Sequence, residues 1–157
     1  MAKYDIESFC ADVETALQNN LNTKLAAIDS EKNDGITLDT VNSNAYHFMT
    51  LNEKNAALDP CILYGFDPDD GGEDAAAGSQ ALATYEVRVV LIKKDIGKGD
   101  IAKRMLRYRR ALAETLKDRF DRIGGSKKVQ VFSPKPDINN SHEDKFVQAR
   151  LRVTLAE

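Results

Sequence analysis

The most constraining feature is the closing stretch "FVQARLRVTL", residues 146 to 155, in which apolar and polar side chains alternate strictly. Val147, Ala149, Leu151, Val153 and Leu155 take one side, and Gln148, Arg150, Arg152 and Thr154 the other. A two-residue period is that of a strand with one buried and one wet face. Such a strand needs neighbours in a sheet and a second layer over its apolar side.

Two helical patterns supply that layer. In residues 5 to 30, Ile6, Phe9, Val13, Leu17, Leu21, Leu25 and Ile28 recur at three- and four-residue steps, so they share one face. Asp5 is placed to cap the start, and Gly35 in "EKNDG" is read as the stop. The second pattern lies in residues 97 to 125, with Ile101, Met105, Tyr108, Leu112, Leu116, Phe120 and Ile123 as its stripe. Asp100 is its expected N-cap, and Gly124 and Gly125 its expected end.

Further strands are expected at "CILYGF" (61 to 66), "ATYEVRVVLIKK" (83 to 94) and "KKVQVF" (127 to 132). In the second, Tyr85, Val87, Val89 and Leu91 line one side and Glu86 and Arg88 the other. Val90 and Ile92 make that other side apolar too, so a central strand covered on both faces near its end is expected. Residues 36 to 60 keep no period; a short helix or strand near Tyr46 to Leu51 fits them, and Pro60 disfavours helix at Asp59. The last two strands are too closely spaced for a crossover helix, so they pair antiparallel. The expected fold is one α+β domain over residues 1 to 157: a two-layer sandwich in αββαββ order, with a mainly antiparallel sheet under two long helices.

Charge and composition exclude several functions. The 157 residues carry a net charge of -3, too mild to mark a bulk nucleic-acid or membrane binder. No apolar run approaches the roughly 18 residues of a membrane span, and "MAKYDIESFC" lacks the apolar core of a signal peptide. Synthesis in a reducing cytoplasm is expected. Cys10 and Cys61 lack zinc spacing and read as small, half-buried hydrophobes. His47 reads as a packing residue, and "HED" at 142 to 144 as a solvated turn. No nucleophile has an evident base, and "GKGD" at 97 to 100 is not a phosphate-cradling loop. No catalytic residue, cofactor or metal site is expected.

Charge is instead segregated. "DPDDGGEDAAAGSQA", residues 67 to 81, holds five acids, Asp67, Asp69, Asp70, Glu73 and Asp74, and no base. An EF-hand alignment from Asp67 puts Gly71 and Gly78 where ligands belong, so a calcium cage is not expected. The second helix is net basic through Lys103, Arg104, Arg107, Arg109, Arg110, Lys117, Arg119 and Arg122. Such a face could bind phosphates, which gives an alternative reading as a small nucleic-acid-binding module using residues 103 to 122. It could also be a solvated face with i,i+4 pairs. A third use is a head-to-tail contact between copies, acidic loop to basic helix, with Arg104, Arg107 and Arg110 as contact residues.

The arrangement resembles bacteriophage tail terminators and the similar tail-completion and neck proteins. The segments carrying the resemblance are "VETALQNNLNTKL", "YEVRVVLI" with the long loop before it, "MLRYRRALAETLKDRF" and the closing "FVQARLRVTL". The resemblance implies a non-enzymatic virion protein, assembled in the host cytoplasm. It implies a ring, commonly six-fold, that caps the head-proximal end of the tail tube and joins it to the head connector and neck. In contractile tails the sheath is a further partner, and DNA passes the channel without specific binding. On this reading residues 67 to 81 are a flexible arm that orders against a neighbouring subunit or the tube.

Overall fold

A computed structural model describes residues 4–50, 58–66, 72–74, 82–94, 99–120, 129–132 and 144–156. Helix α1 spans Ile6–Lys32, and the Asp5 carboxylate accepts the Ser8 amide at 2.9 Å as its N-cap. The stripe read from the sequence is its buried side: Phe9, Val13, Leu17, Leu21, Leu25 and Ile28 are all at most 2% exposed. The stop differs from the expectation. Asn33 takes the left-handed cap position (φ 43°) and returns its N–H to the Asp29 carbonyl, while Gly35 makes a second left-handed turn at φ 81°. Asparagine tolerates that region well enough to pre-empt the glycine.

The unreadable segment after α1 is extended chain laid along the helix. Asn22 bonds the amide and the carbonyl of Val41 at 2.9 and 3.0 Å, and Asp29 accepts the Leu38 amide at 3.0 Å. Leu38 and Val41 are buried. Helix side chains satisfy this backbone, so no periodicity of its own is required. A 3-10 turn, Ser43–Ala45, then leads into strand β1, Tyr46–Phe48.

The remaining elements are β2 (Cys61–Phe66), β3 (Gly72–Asp74), β4 (Leu82–Lys94), α2 (Ile101–Phe120), β5 (Val129–Phe132) and β6 (Asp144–Ala156). The fold is α+β. The expected four strands become six, because β1 and β3 have three residues each and are too short to show an alternation. The sheet runs β1-β2-β4-β6-β5, with β3 also beside β4. β1 pairs parallel to β2, and every other pairing is antiparallel. β4 is the central strand, as its sequence indicates, and β5 and β6 form the expected antiparallel pair. The expected helix end at Gly124 and Gly125, with Ile123, lies outside the described residues.

Both helices lie on one face of the sheet. Phe9 of α1 packs on Phe120 of α2 with ring centroids 5.2 Å apart, and Tyr64 of β2 donates its hydroxyl to Glu14 of α1 at 2.6 Å. That face holds Ile62, Val87, Val89, Leu91, Val147, Ala149, Leu151 and Val153, all fully buried. Burial of this apolar area against the two helical stripes is the main force holding the layers together. On the other side of β4, Val90 and Ile92 are half-buried, and Ile92 packs against the core; no described helix lies over them.

Candidate functional site

The arginines of α2 are where the sequence reading changes most. Arg104, Arg107 and Arg110 stand three residues apart and turn toward the end of α1, whose run "DSEKND" (29 to 34) is acidic. Arg104 bonds Asp100 at 2.9 Å and the Thr37 carbonyl at 2.6 Å. Arg107 grips Asp34 through both terminal nitrogens, one of them at 3.1 Å. Arg110 is bidentate to Glu31 at 2.9 and 2.7 Å and also bonds Glu114 at 2.8 Å. Lys24 of α1 meets Asp118 of α2 at 2.8 Å.

These pairs leave an electrostatic imprint. The Arg107 guanidinium holds the Asp34 carboxyl down to about 2, and Arg110 lowers that of Glu31. The two carboxylates on Arg110, Glu31 first, raise its own value in return. The three arginines nominated for intersubunit contact are thus engaged inside the chain, stapling α2 to the turn after α1. Charge complementarity with "DSEKND" was the signal that could have revealed this. Lys103, Lys117 and Arg119 keep exposed positions on α2.

The acidic segment is described only in part. Glu73 and Asp74 lie in β3, paired with Ala83 and Leu82, so the proposed arm is tied to the sheet there by ladder hydrogen bonds. β3 runs in the direction of β2 along the same edge of β4. Asp67, Asp69 and Asp70, and with them most of the tested calcium loop, fall outside the described residues, as does His142.

The sheet face away from the helices gathers residues that the sequence shows only as outward positions on separate strands. Register sets Glu86 opposite Arg152, Arg88 opposite Arg150, and Val90 between Leu63 and Gln148. Two arginines directly opposite repel unless an acid intervenes. Glu86 sits diagonally, with an oxygen 3.1 Å from Arg150 but without hydrogen-bond alignment. Beyond it the Thr84 and Thr154 hydroxyls meet at 3.1 Å.

Toward the β1 edge the face turns apolar. A cleft of about 320 Å³ is lined by Met49, Leu63, Gly65, Phe66, Val90 and Arg88 among others. Met49 is a non-glycine residue at φ 67°, held by its amide bond to the Tyr64 carbonyl at 2.7 Å. Its side chain lies against Gly65, where any Cβ would collide with the Met49 sulfur. Met49 is 39% exposed at the rim of this cleft, while Phe48 packs its ring on Tyr64 on the helix side.

Lys93, 3% exposed, reaches Asp59 at 2.6 Å and Asp39 at 3.3 Å beneath the start of α2. His47 is buried at 5% exposure, in keeping with a packing role. Cys10 and Cys61 are buried free thiols; burial pushes Cys10 up to about 12 and Cys61 in the same direction. Among the described residues, no three His, Cys, Asp or Glu side chains are grouped to hold a metal ion. No described helix is long and apolar enough to cross a membrane. Searches of protein-family models and of curated proteins find no match to this chain.

Proposed function

We propose that this chain is a non-enzymatic assembly protein of the phage tail-terminator or neck type. It closes into a ring, six-fold as in the family it resembles, at the head-proximal end of a tail tube. There it meets the tube protein and the head connector, and the sheath where the tail contracts. DNA passes through the ring without specific binding, and no cofactor takes part. The protein resides in the virion after assembly in the host cytoplasm.

The observation that carries this reading is a sheet whose two described helices both lie on one face. Its helix layer covers one sheet face, while the other presents arginines beside an apolar cleft, the composition of a protein interface core and rim. The alternative, nucleic-acid binding through residues 103 to 122, is weakened because Arg104, Arg107 and Arg110 already bond carboxylates of the same chain.

Negative-stain electron microscopy of the concentrated protein, alone and with tail tubes, tests the proposal. Closed rings, or density added to one tube end, support it. Monomers that ignore tubes yet bind generic DNA with a steep salt dependence would replace it with the alternative.

A further inference from the structure

Asp34 in the turn after α1 is followed by Gly35. Glycine has no side chain to shield its own nitrogen. This one is exposed, at φ 81°, with open space where a Cβ would stand. Asp34 is exposed as well, and its Oδ1 accepts the Ile36 amide at 3.3 Å, so the side chain turns back past the Gly35 peptide. A carboxyl carbon so placed is open to attack by the next amide nitrogen. Against this stands Arg107, whose two terminal nitrogens take both Asp34 oxygens.

We propose that Asp34–Gly35 is a site of spontaneous isomerisation to isoaspartate, and that the grip of Arg107 holds the reaction back. The Gly35 nitrogen bonds to Asp34 Cγ and gives up its proton, a hydroxyl leaves Cγ, and the two depart as water from a cyclic imide. Water then opens the imide at the Asp34 main-chain carbonyl. The main chain now runs through Cβ and Cγ, with the carboxylate on Cα. The water lost is regained, and nothing is oxidised or reduced.

The hydroxyl leaves readily only from the protonated acid, and the guanidinium favours the ionised one. Holding the carboxyl at about 2 instead of 3.8 cuts its protonated share roughly sixtyfold near neutral pH. The fork also fixes both oxygens, so Cγ is not free to turn toward the nitrogen. The product lengthens the main chain by a methylene and leaves the carboxylate one carbon short of its former reach. A chain that isomerises after acid or partial unfolding has loosened the pair therefore loses this staple between the turn and α2 for good.

Isoaspartate formation in the folded, full-length chain at pH 6 tests the proposal. Trypsin releases residues 33–54 intact and apart from the other Asp–Gly pair, Asp70–Gly71, and electron-transfer fragmentation places the isoaspartate at residue 34. The parent should react at least roughly tenfold more slowly than a synthetic peptide of residues 33–54. Arg107→Gln, its folding checked by circular dichroism, should approach the peptide. Arg110→Gln, which frees Glu31 but leaves Asp34 gripped, should keep the parental rate. If Arg107→Gln does not fold, Arg107→Lys retains the charge without the fork and should fall between parent and peptide. A parent as fast as the peptide, an Arg107 variant as slow as the parent, or Arg110→Gln as fast as Arg107→Gln would each overturn the assignment.

Discussion

Arg107, in the middle of α2, holds the Asp34 carboxylate beyond the end of α1 through two guanidinium nitrogens. The contact spans 73 residues of sequence and fixes the turn after α1 against the helix that follows the central strand in sequence. Arg107 is only 8% exposed, and this partner offsets the cost of burying its charge.

That pair carries a pH signature. Asp34 is held at about 2 when folded, below its ordinary 3.8, so the folded state binds fewer protons. Its stabilising effect is complete above the ordinary value and is lost as pH falls through the folded one. Asp34→Asn should lower the thermal midpoint near neutral pH. The parent and variant curves should converge as pH falls toward 2, and parallel curves over that range would contradict the assignment.

Lys93 gives the largest expected effect of any single charge. Its removal leaves Asp59, already bonded to the Lys94 amide at 3.0 Å, without its counter-charge in a mostly buried site. Lys93→Ala should cost about 3 kcal/mol in urea unfolding, the low end for a broken buried pair because Asp59 retains some solvent. A loss under about 1 kcal/mol would show that water replaces the ammonium.

Gly65 leaves room for the Met49 side chain. A methyl group there meets the Met49 sulfur and lies 3.3 Å from its Cα, but the thioether is exposed enough to swing aside. Gly65→Ala should therefore cost only about 1 kcal/mol. It should also displace the Met49 methyl resonance and narrow the cleft; an unmoved resonance would refute the contact.

The two thiols should be inert in the native protein. Burial raises Cys10 to about 12 and Cys61 above its ordinary value, so little thiolate exists at pH 8. A chromogenic disulfide reagent should react with both only after denaturation. Rapid reaction of the folded chain would mean that one of them is accessible.

Much of the architecture was legible because burial leaves a period in the side chains. The stripe from Phe9 to Ile28 identifies α1, that from Met105 to Phe120 identifies α2, and the alternation from Val147 to Leu155 identifies β6. One-sided helices and a one-sided strand permit few arrangements other than a layered α+β fold. β1 and β3 left no such trace, since three residues contain at most one full alternation.

The candidate surfaces were legible only as parts. The sequence by itself placed Glu86 and Arg88 on the outward side of one strand and Arg150 and Arg152 on that of another. Only the β4–β6 register set them side by side on one face. The sequence likewise showed a basic helix, and only helix packing turned Arg104, Arg107 and Arg110 inward to the end of α1. The division has a physical cause. Side-chain period is a local property that a chain carries wherever it folds, whereas the partner of a charge depends on which distant strand or helix comes to lie beside it.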